Sequence, residues 1–187
     1  MSFAIMYKIN PDGTLEGAAG YQNAHGFAAF VWTSLVERYG LTEDQWRADK
    51  TFEKEPMDYG MFGSWRYVWH LHAQGKLGLA PWEHNVLMAT YDRYMVKAED
   101  FQVFADSLET FAAEHNDEGK RVCHLKTMAD DVRKLIDSDA IGVCWWPMNV
   151  SDNLWSTYDY ETDESVWYNF VDEDNHTVAK ILTQENS

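Results

Sequence analysis

The spacing of apolar and polar positions changes period along this chain, and the changes mark out its elements. Phe3-Ala-Ile-Met-Tyr-Lys-Ile9 is short, apolar and β-prone. Asn10-Pro-Asp-Gly13 follows, with Pro and Gly where a tight turn wants them. A first strand over 3–9 is therefore predicted. Gly17 to Gly26 is dominated by small residues and reads as loop. Asn23 is placed to cap a helix reaching about Tyr39, with Phe27, Phe30, Val31, Leu35 and Val36 on one face and Gly40 as its stop. Thr42-Glu-Asp-Gln45 has the pattern of a capping box, so a second short helix should hold Trp46.

The stretch Met61 to Gln74 fits two periods. Met61, Trp65, Val68, Trp69 and His72 follow a helix, whereas Trp65, Tyr67, Trp69 and Leu71 follow a strand; the helix is preferred. Pro81 suits a first helical turn and is followed by Val86, Leu87, Tyr91 and Tyr94 at helical spacing. Glu99-Asp100 opens an amphipathic helix whose stripe is Phe101, Phe104, Ala105, Leu108, Phe111 and Ala112, ending near His115. Asn116 to Gly119 reads as linker, and a helix from about His124 to Ile136 should bury Leu125, Met128, Val132, Leu135 and Ile136.

After that the period shortens. Ile141-Gly-Val-Cys-Trp-Trp146 is β-rich and stops at Pro147. Val166–Val171 and Thr177–Leu182 suit a hairpin around Asp172–Asn175. Helices fill the middle and strands the end, with one strand at the start. The expectation is α+β: a single domain over 1–187, helix-rich over 24–137 and strand-rich over 141–183. The helical middle would pack on a small, mostly antiparallel sheet made by the N-terminal strand and the C-terminal strands.

Composition narrows the function classes. With 45% apolar and 15% aromatic residues the chain can build a core and is not disordered by composition. No run is long enough for a membrane span, and the first residues lack the pattern of a signal peptide. Two cysteines, Cys123 and Cys144, make no disulfide framework and suit a reducing cytoplasm. The net charge of −16 arises from 31 acids against 15 lysines and arginines. A field of that sign disfavours nucleic acid and anionic membranes, because phosphate contacts need Lys and Arg. It favours basic protein surfaces, and it also suits a surface made acidic for solubility alone.

The charge is concentrated near the end. Between Lys134 and Lys180 there is no lysine or arginine, while Asp137, Asp139, Asp152, Asp159, Glu161, Asp163, Glu164, Asp172, Glu173 and Asp174 all fall there. Trp145, Trp146, Trp155, Tyr158, Tyr160, Trp167, Tyr168 and Phe170 are interleaved with them. On an extended strand, Asp159, Glu161 and Asp163 would share one face at intervals of about 6.6 Å. That is close to every second phosphate of a nucleic-acid strand, at roughly 3.4 Å each. Trp155, Asp159, Glu161, Asp163 and Glu164 are thus the expected contacts to a partner. The function expected is an acidic interaction module, of an inhibitor or nucleic-acid-mimic type, that docks on a basic protein surface, for instance that of a nucleic-acid-binding protein. Exposed rings would also suit a homodimer.

Other chemistry is thinner. Asp159-x-Glu161-x-Asp163 alternates oxygen donors, but Glu164 and Phe170 stand where a calcium loop of the EF-hand type needs Gly and Glu. His70-x-His72 would share a metal from a strand and diverge on a helix, with His84 as a third candidate. These three histidines, with Trp-rich walls, define the alternative reading: a small-molecule- or metal-binding domain or enzyme. A satisfied or exposed histidine is the strongly preferred reading of each, so no metal site is expected. Cys123-His124 are only sequence neighbours, and Cys144 reads as a small buried hydrophobe. No nucleophile elbow, P-loop or dinucleotide fingerprint occurs. No cofactor and no catalytic residue are expected.

Overall fold

The structure, a computed structural model, describes residues 3–22, 24–52, 63–90, 95–115, 122–147 and 156–167. The fold is α+β, with six helices and a four-stranded antiparallel sheet among the described residues. The chain forms two compact units, Met1–Phe27 with Pro81–Ser187, and Ala28–Ala80.

The first unit holds the sheet. Strand β1 (Phe3–Ile9) turns back through Asn10–Thr14 into β2 (Leu15–Gln22). Gly13 takes φ +82°, the left-handed conformation that glycine tolerates best, and its N–H donates to Asn10 O at 2.9 Å. Strands β3 (Met95–Lys97) and β4 (Gly142–Pro147) complete the order β2-β1-β4-β3. Strand β1 has a neighbour on each side, and both of its faces are used. Ile9 packs with Met95 and Cys144 on one face, while Met6, opposite Trp145, is reached by the Tyr21 hydroxyl on the other. That two-sided burial is why β1 and β4 read as nearly continuous apolar runs rather than as alternation.

Helices α4 (Pro81–Met88), α5 (Phe101–Glu114) and α6 (Val122–Arg133) belong to the same unit. The α5 stripe is buried as its spacing predicts, from Phe101 to Ala112. Phe104 packs on Trp145 of β4 at 5.5 Å between ring centroids, and Trp82 of α4 meets Phe111 edge-on at 6.4 Å. Arg133 of α6 grips Glu109 of α5 with both guanidinium nitrogens, at 2.7 and 2.8 Å, and reaches Asp106 at 2.8 Å. Tyr21 Oη donates to Asp131 Oδ2 at 3.1 Å and ties β2 to α6.

The second unit is helical. It contains most of α1 (Ala24–Arg38), then α2 (Glu43–Ala48) and α3 (Gly63–Ala73). Helix α1 ends at Gly40 (φ +59°), where Gly40 N–H bonds Glu37 O and Leu41 N–H bonds Val36 O, the double closure of a Schellman motif. Helix α3 ends in the same way at Gly75 (φ +65°). The expected capping box opens α2, with Thr42 and Gln45 bonded reciprocally. Trp46, Phe52 and Tyr67 form a buried aromatic cluster, against which Leu71 packs.

Two expectations are corrected, and one strand was not expected. Residues 17–22 are strand rather than loop: Gly17-Ala-Ala-Gly20 has little β preference, but β1 pairs along it, with a bulge at Ala18 where the register shifts. Helix α1 accordingly begins at Ala24; Asn23 lies outside the described residues. Strand β3 is too short for a period to reveal it; its pairing with β4 defines it. Helix α6 stops at Arg133, and the next turns close by i→i+3 bonds (Leu135 N–H to Val132 O, Ile136 N–H to Arg133 O). That tighter winding swings Ile136 off the buried stripe, leaving it 42% exposed. Of the hairpin expected over 166–182, only Val166 and Trp167 are described, and they belong to an earlier hairpin.

Candidate functional site

That hairpin consists of β5 (Ser156–Asp159) and β6 (Glu164–Trp167), paired from Ser156 with Trp167 to Asp159 with Glu164. Tyr160, Glu161, Thr162 and Asp163 form the turn between them. Asp163 adopts φ +57°, a conformation that Asp and Asn accept more readily than most residues and that longer hairpin loops need near their end. Asp159, Glu161 and Asp163 therefore do not make an extended row. The phosphate-like interval expected for them is lost, because the chain reverses at Tyr160.

The reversal instead gathers Asp159, Glu161, Asp163 and Glu164 at one end of a hairpin. Register sets Asp159 opposite Glu164. Tyr160 stands among them 89% exposed, and Glu161, Thr162 and Asp163 are exposed as well. Trp155 lies outside the described residues. Elsewhere in the cation-free stretch, Asp139 pairs with Lys8 of β1, so one acid of that stretch does find its cation within the fold.

The histidines fall on helices. His70 and His72 are both in α3, where a separation of two residues turns their side chains about 200° apart. His84 is on α4. Among the described residues no group of three or more His, Cys, Asp or Glu side chains converges as a metal site would. His72 is half-buried, and that burial lowers its pKa.

His70 has a different role that the sequence did not reveal. Asp49, at the end of α2, accepts from Thr51 N–H (2.8 Å) and Thr51 Oγ1 (2.6 Å) through one carboxylate oxygen, and from Tyr67 Oη (2.9 Å) through the other. His70 Nε2 lies 3.0 Å from Thr51 Oγ1 and 3.5 Å from Asp49 Oδ2, and Gln74 Nε2 reaches both Thr51 and His70. The Thr51 hydroxyl and amide, then the Tyr67 hydroxyl, hold the Asp49 carboxyl far below the usual carboxylate range. Burial, then the bond to Asp49, pushes Tyr67 up to about 12. An Asp–His–Thr trio suggests a nucleophilic triad, but the geometry denies it. Asp49 and Thr51 meet the same imidazole nitrogen, and the Thr51 proton is committed to Asp49. The cluster ties α2 to α3. Its one sequence signal is the Asp-x-Thr turn pattern, which also occurs at Asp12–Thr14 with the same bonds.

Four further polar residues among those described are buried in the first unit. Asn85 Nδ2 donates to Ser107 Oγ at 2.9 Å between α4 and α5, and Glu83 is fully buried on α4. Asp100 is 7% exposed at the start of α5; it makes no capping bond, and its Oδ2 has no hydrogen-bond partner. Burial, then Glu99, raises its carboxyl to about 6. Cys144 is a buried free thiol pushed up by that burial, the opposite of what an activated nucleophile requires.

Among the described residues no helix is long and apolar enough to cross a membrane. Compared with protein-family models, curated proteins and solved structures, the chain matches none.

Proposed function

We propose that this is an acidic interaction module of the cytoplasm, docking on a basic surface of another protein through the end of the β5–β6 hairpin. The observation that carries this reading is Tyr160, a large ring 89% exposed on a turn flanked by Asp159, Glu161, Asp163 and Glu164. Folding normally buries such area when it has somewhere to go, and aromatic residues are enriched where protein partners close. A partner presenting Lys or Arg would neutralise the carboxylates and stack a guanidinium or an alkyl stem on the ring. A groove that ordinarily takes nucleic acid is one surface of this kind, and occupying it would inhibit.

A second reading has its own observation. Glu16, Glu37, Asp44, Glu99, Asp130 and Asp137 are exposed on other elements, which suits an acidity that serves solubility. It does not account for Tyr160. The reading as a ligand-binding domain or enzyme is weaker: helix α3 separates His70 from His72, and the polar groups of the Asp49–His70 cluster bond one another.

The test is capture of basic proteins by the immobilised chain at roughly 50 mM salt, with release as screening shortens the range of attraction. Asp159→Asn, Glu161→Gln and Asp163→Asn together, and Tyr160→Ala separately, should each reduce capture at least tenfold. Asn at position 163 keeps the left-handed turn, so the hairpin survives. Full capture by both variants would sink the proposal.

A further inference from the structure

The sheet ends on two unlike edges. Strand β3 is three residues long, with Met95 and Val96 buried. Strand β2 is eight residues long, and Glu16, Gly17, Ala18, Gly20 and Gln22 are exposed along it. In an antiparallel pair alternate residues turn their N–H and C=O groups towards the neighbour, and the rest turn theirs away. Beyond its ladder with β1, the β2 backbone makes no hydrogen bond among the described residues. Among the described residues, nothing takes the outward donors and acceptors of this strand.

Proteins usually blunt such an edge with Lys, Pro, a bulge, short length or a covering segment. Here β3 uses shortness and burial. Strand β2 has neither Lys nor Pro; among the described residues its devices are exposed Glu16 and the bulge at Ala18. Its side chains from 17 to 20 are Gly, Ala, Ala and Gly, which leave both faces low enough for another backbone to approach to about 4.8 Å.

We propose that the outer edge of β2 is a docking site for an extended, basic segment of a partner protein, which adds to the sheet as a fifth strand. Main-chain bonds along Ala19–Gln22, beyond the bulge, set its register, and charge selects it. At one end of the edge Asp12, Glu16 and Asp139 outnumber Lys8; at the other Asp131, bonded to Tyr21, and Asp130 stand beside Lys134 and Arg133. A segment alternating Lys or Arg with β-branched residues places its cations against the acids at the Asp12–Glu16 end, where they exceed Lys8, and its amides against the edge; Asp130 and Asp131 are already paired with Arg133 and Lys134. A second copy of this chain, with net charge −16, offers the wrong sign. The inference concerns a surface separate from the β5–β6 hairpin and does not rest on Tyr160.

The probe is an eight-residue peptide alternating Lys and Val, with a Glu–Val peptide as control, titrated into the full isotope-labelled chain. The expected result is amide shifts and slowed hydrogen exchange confined to β2. The Lys peptide should lose affinity at least tenfold between roughly 50 and 500 mM salt, and the Glu peptide should not bind. Ala18→Lys, an exposed edge guard, should abolish the response while leaving the melting temperature unchanged. Ala19→Pro and Gly20→Pro form a second pair. Adjacent residues alternate in direction, so one loses an outward donor and binding, while the other loses a ladder bond and stability. Unshifted β2 amides, an equal response to the Glu peptide, or unaltered binding by Ala18→Lys overturns the proposal. A doubled mass without peptide, with β2 amides protected, gives the edge to a second copy and overturns it too.

Discussion

Replacing Asp100 by Asn removes a carboxylate that the fold buries without a partner. The residue is 7% exposed, its Oδ2 is unbonded, and burial, then the charge of Glu99, raises the carboxyl from its ordinary 3.8 to about 6, with Lys97 pulling the other way. In the unfolded chain the group returns to its ordinary value. Below that value both states hold the proton, and Asp100 carries no electrostatic penalty. As pH rises through the interval up to about 6 the folded state must give up a proton it favours, and stability falls. Above about 6 the full penalty applies: roughly two pKa units at 1.36 kcal/mol each, or about 3 kcal/mol. Asn is nearly isosteric and never charges, but its own unpaired amide costs about 1 kcal/mol. Asp100→Asn should therefore be more stable than the parent by about 2 kcal/mol at pH 7.5, and equal or slightly less stable near pH 4. Urea unfolding of both proteins at the two pH values measures this, since all other titrating groups cancel in the difference. A variant less stable at pH 7.5, or a difference that does not change with pH, would refute the reasoning.

Three other outcomes follow from local geometry. A Cβ on Gly142 would sit 2.8 Å from the Val96 carbonyl oxygen and 3.4 Å from Ile9 Cδ1, so Gly142→Ala should cost about 1–3 kcal/mol; an unchanged melting temperature would contradict that. Arg133→Ala breaks the two-nitrogen grip on Glu109 and the bond to Asp106; with Arg133 27% exposed the loss should be about 1 kcal/mol and smaller in high salt, as a double-mutant cycle with Glu109→Gln would measure. Asp49 has its carboxyl lowered, so its contribution is present at neutral pH and is lost as pH falls through and below the ordinary carboxylate range. Asp49→Asn should be less stable at pH 7 and lose less on acidification, and parallel acid-unfolding curves would show the network contributes nothing.

What the amino-acid order by itself determined is what one or two turns of chain can decide. The α5 stripe from Phe101 to Ala112, the Thr42–Gln45 box and the stop at Gly40 rest on groups within about four residues of each other, so propensity and spacing are sufficient. The acidic, aromatic character of the last third was equally plain, being composition. What that character is attached to was not, since the reversal at Tyr160 depends on how β5 pairs with β6, and it replaced an expected linear row with a cluster.

Only the tertiary structure made a strand of Gly17-Ala-Ala-Gly20, because β1 supplies the hydrogen bonds that those residues would not seek alone. The same holds for β3, for Asp49 meeting Tyr67 and His70, and for Lys8 reaching Asp139 from the far end of the chain. The partnerships beyond the β1–β2 hairpin must overcome the entropy of closing a longer loop, and that cost is met by the packing of the core rather than by the pair itself. A pattern read along the chain records what each residue prefers; which distant residue it meets is decided by the apolar surfaces that fold together around them.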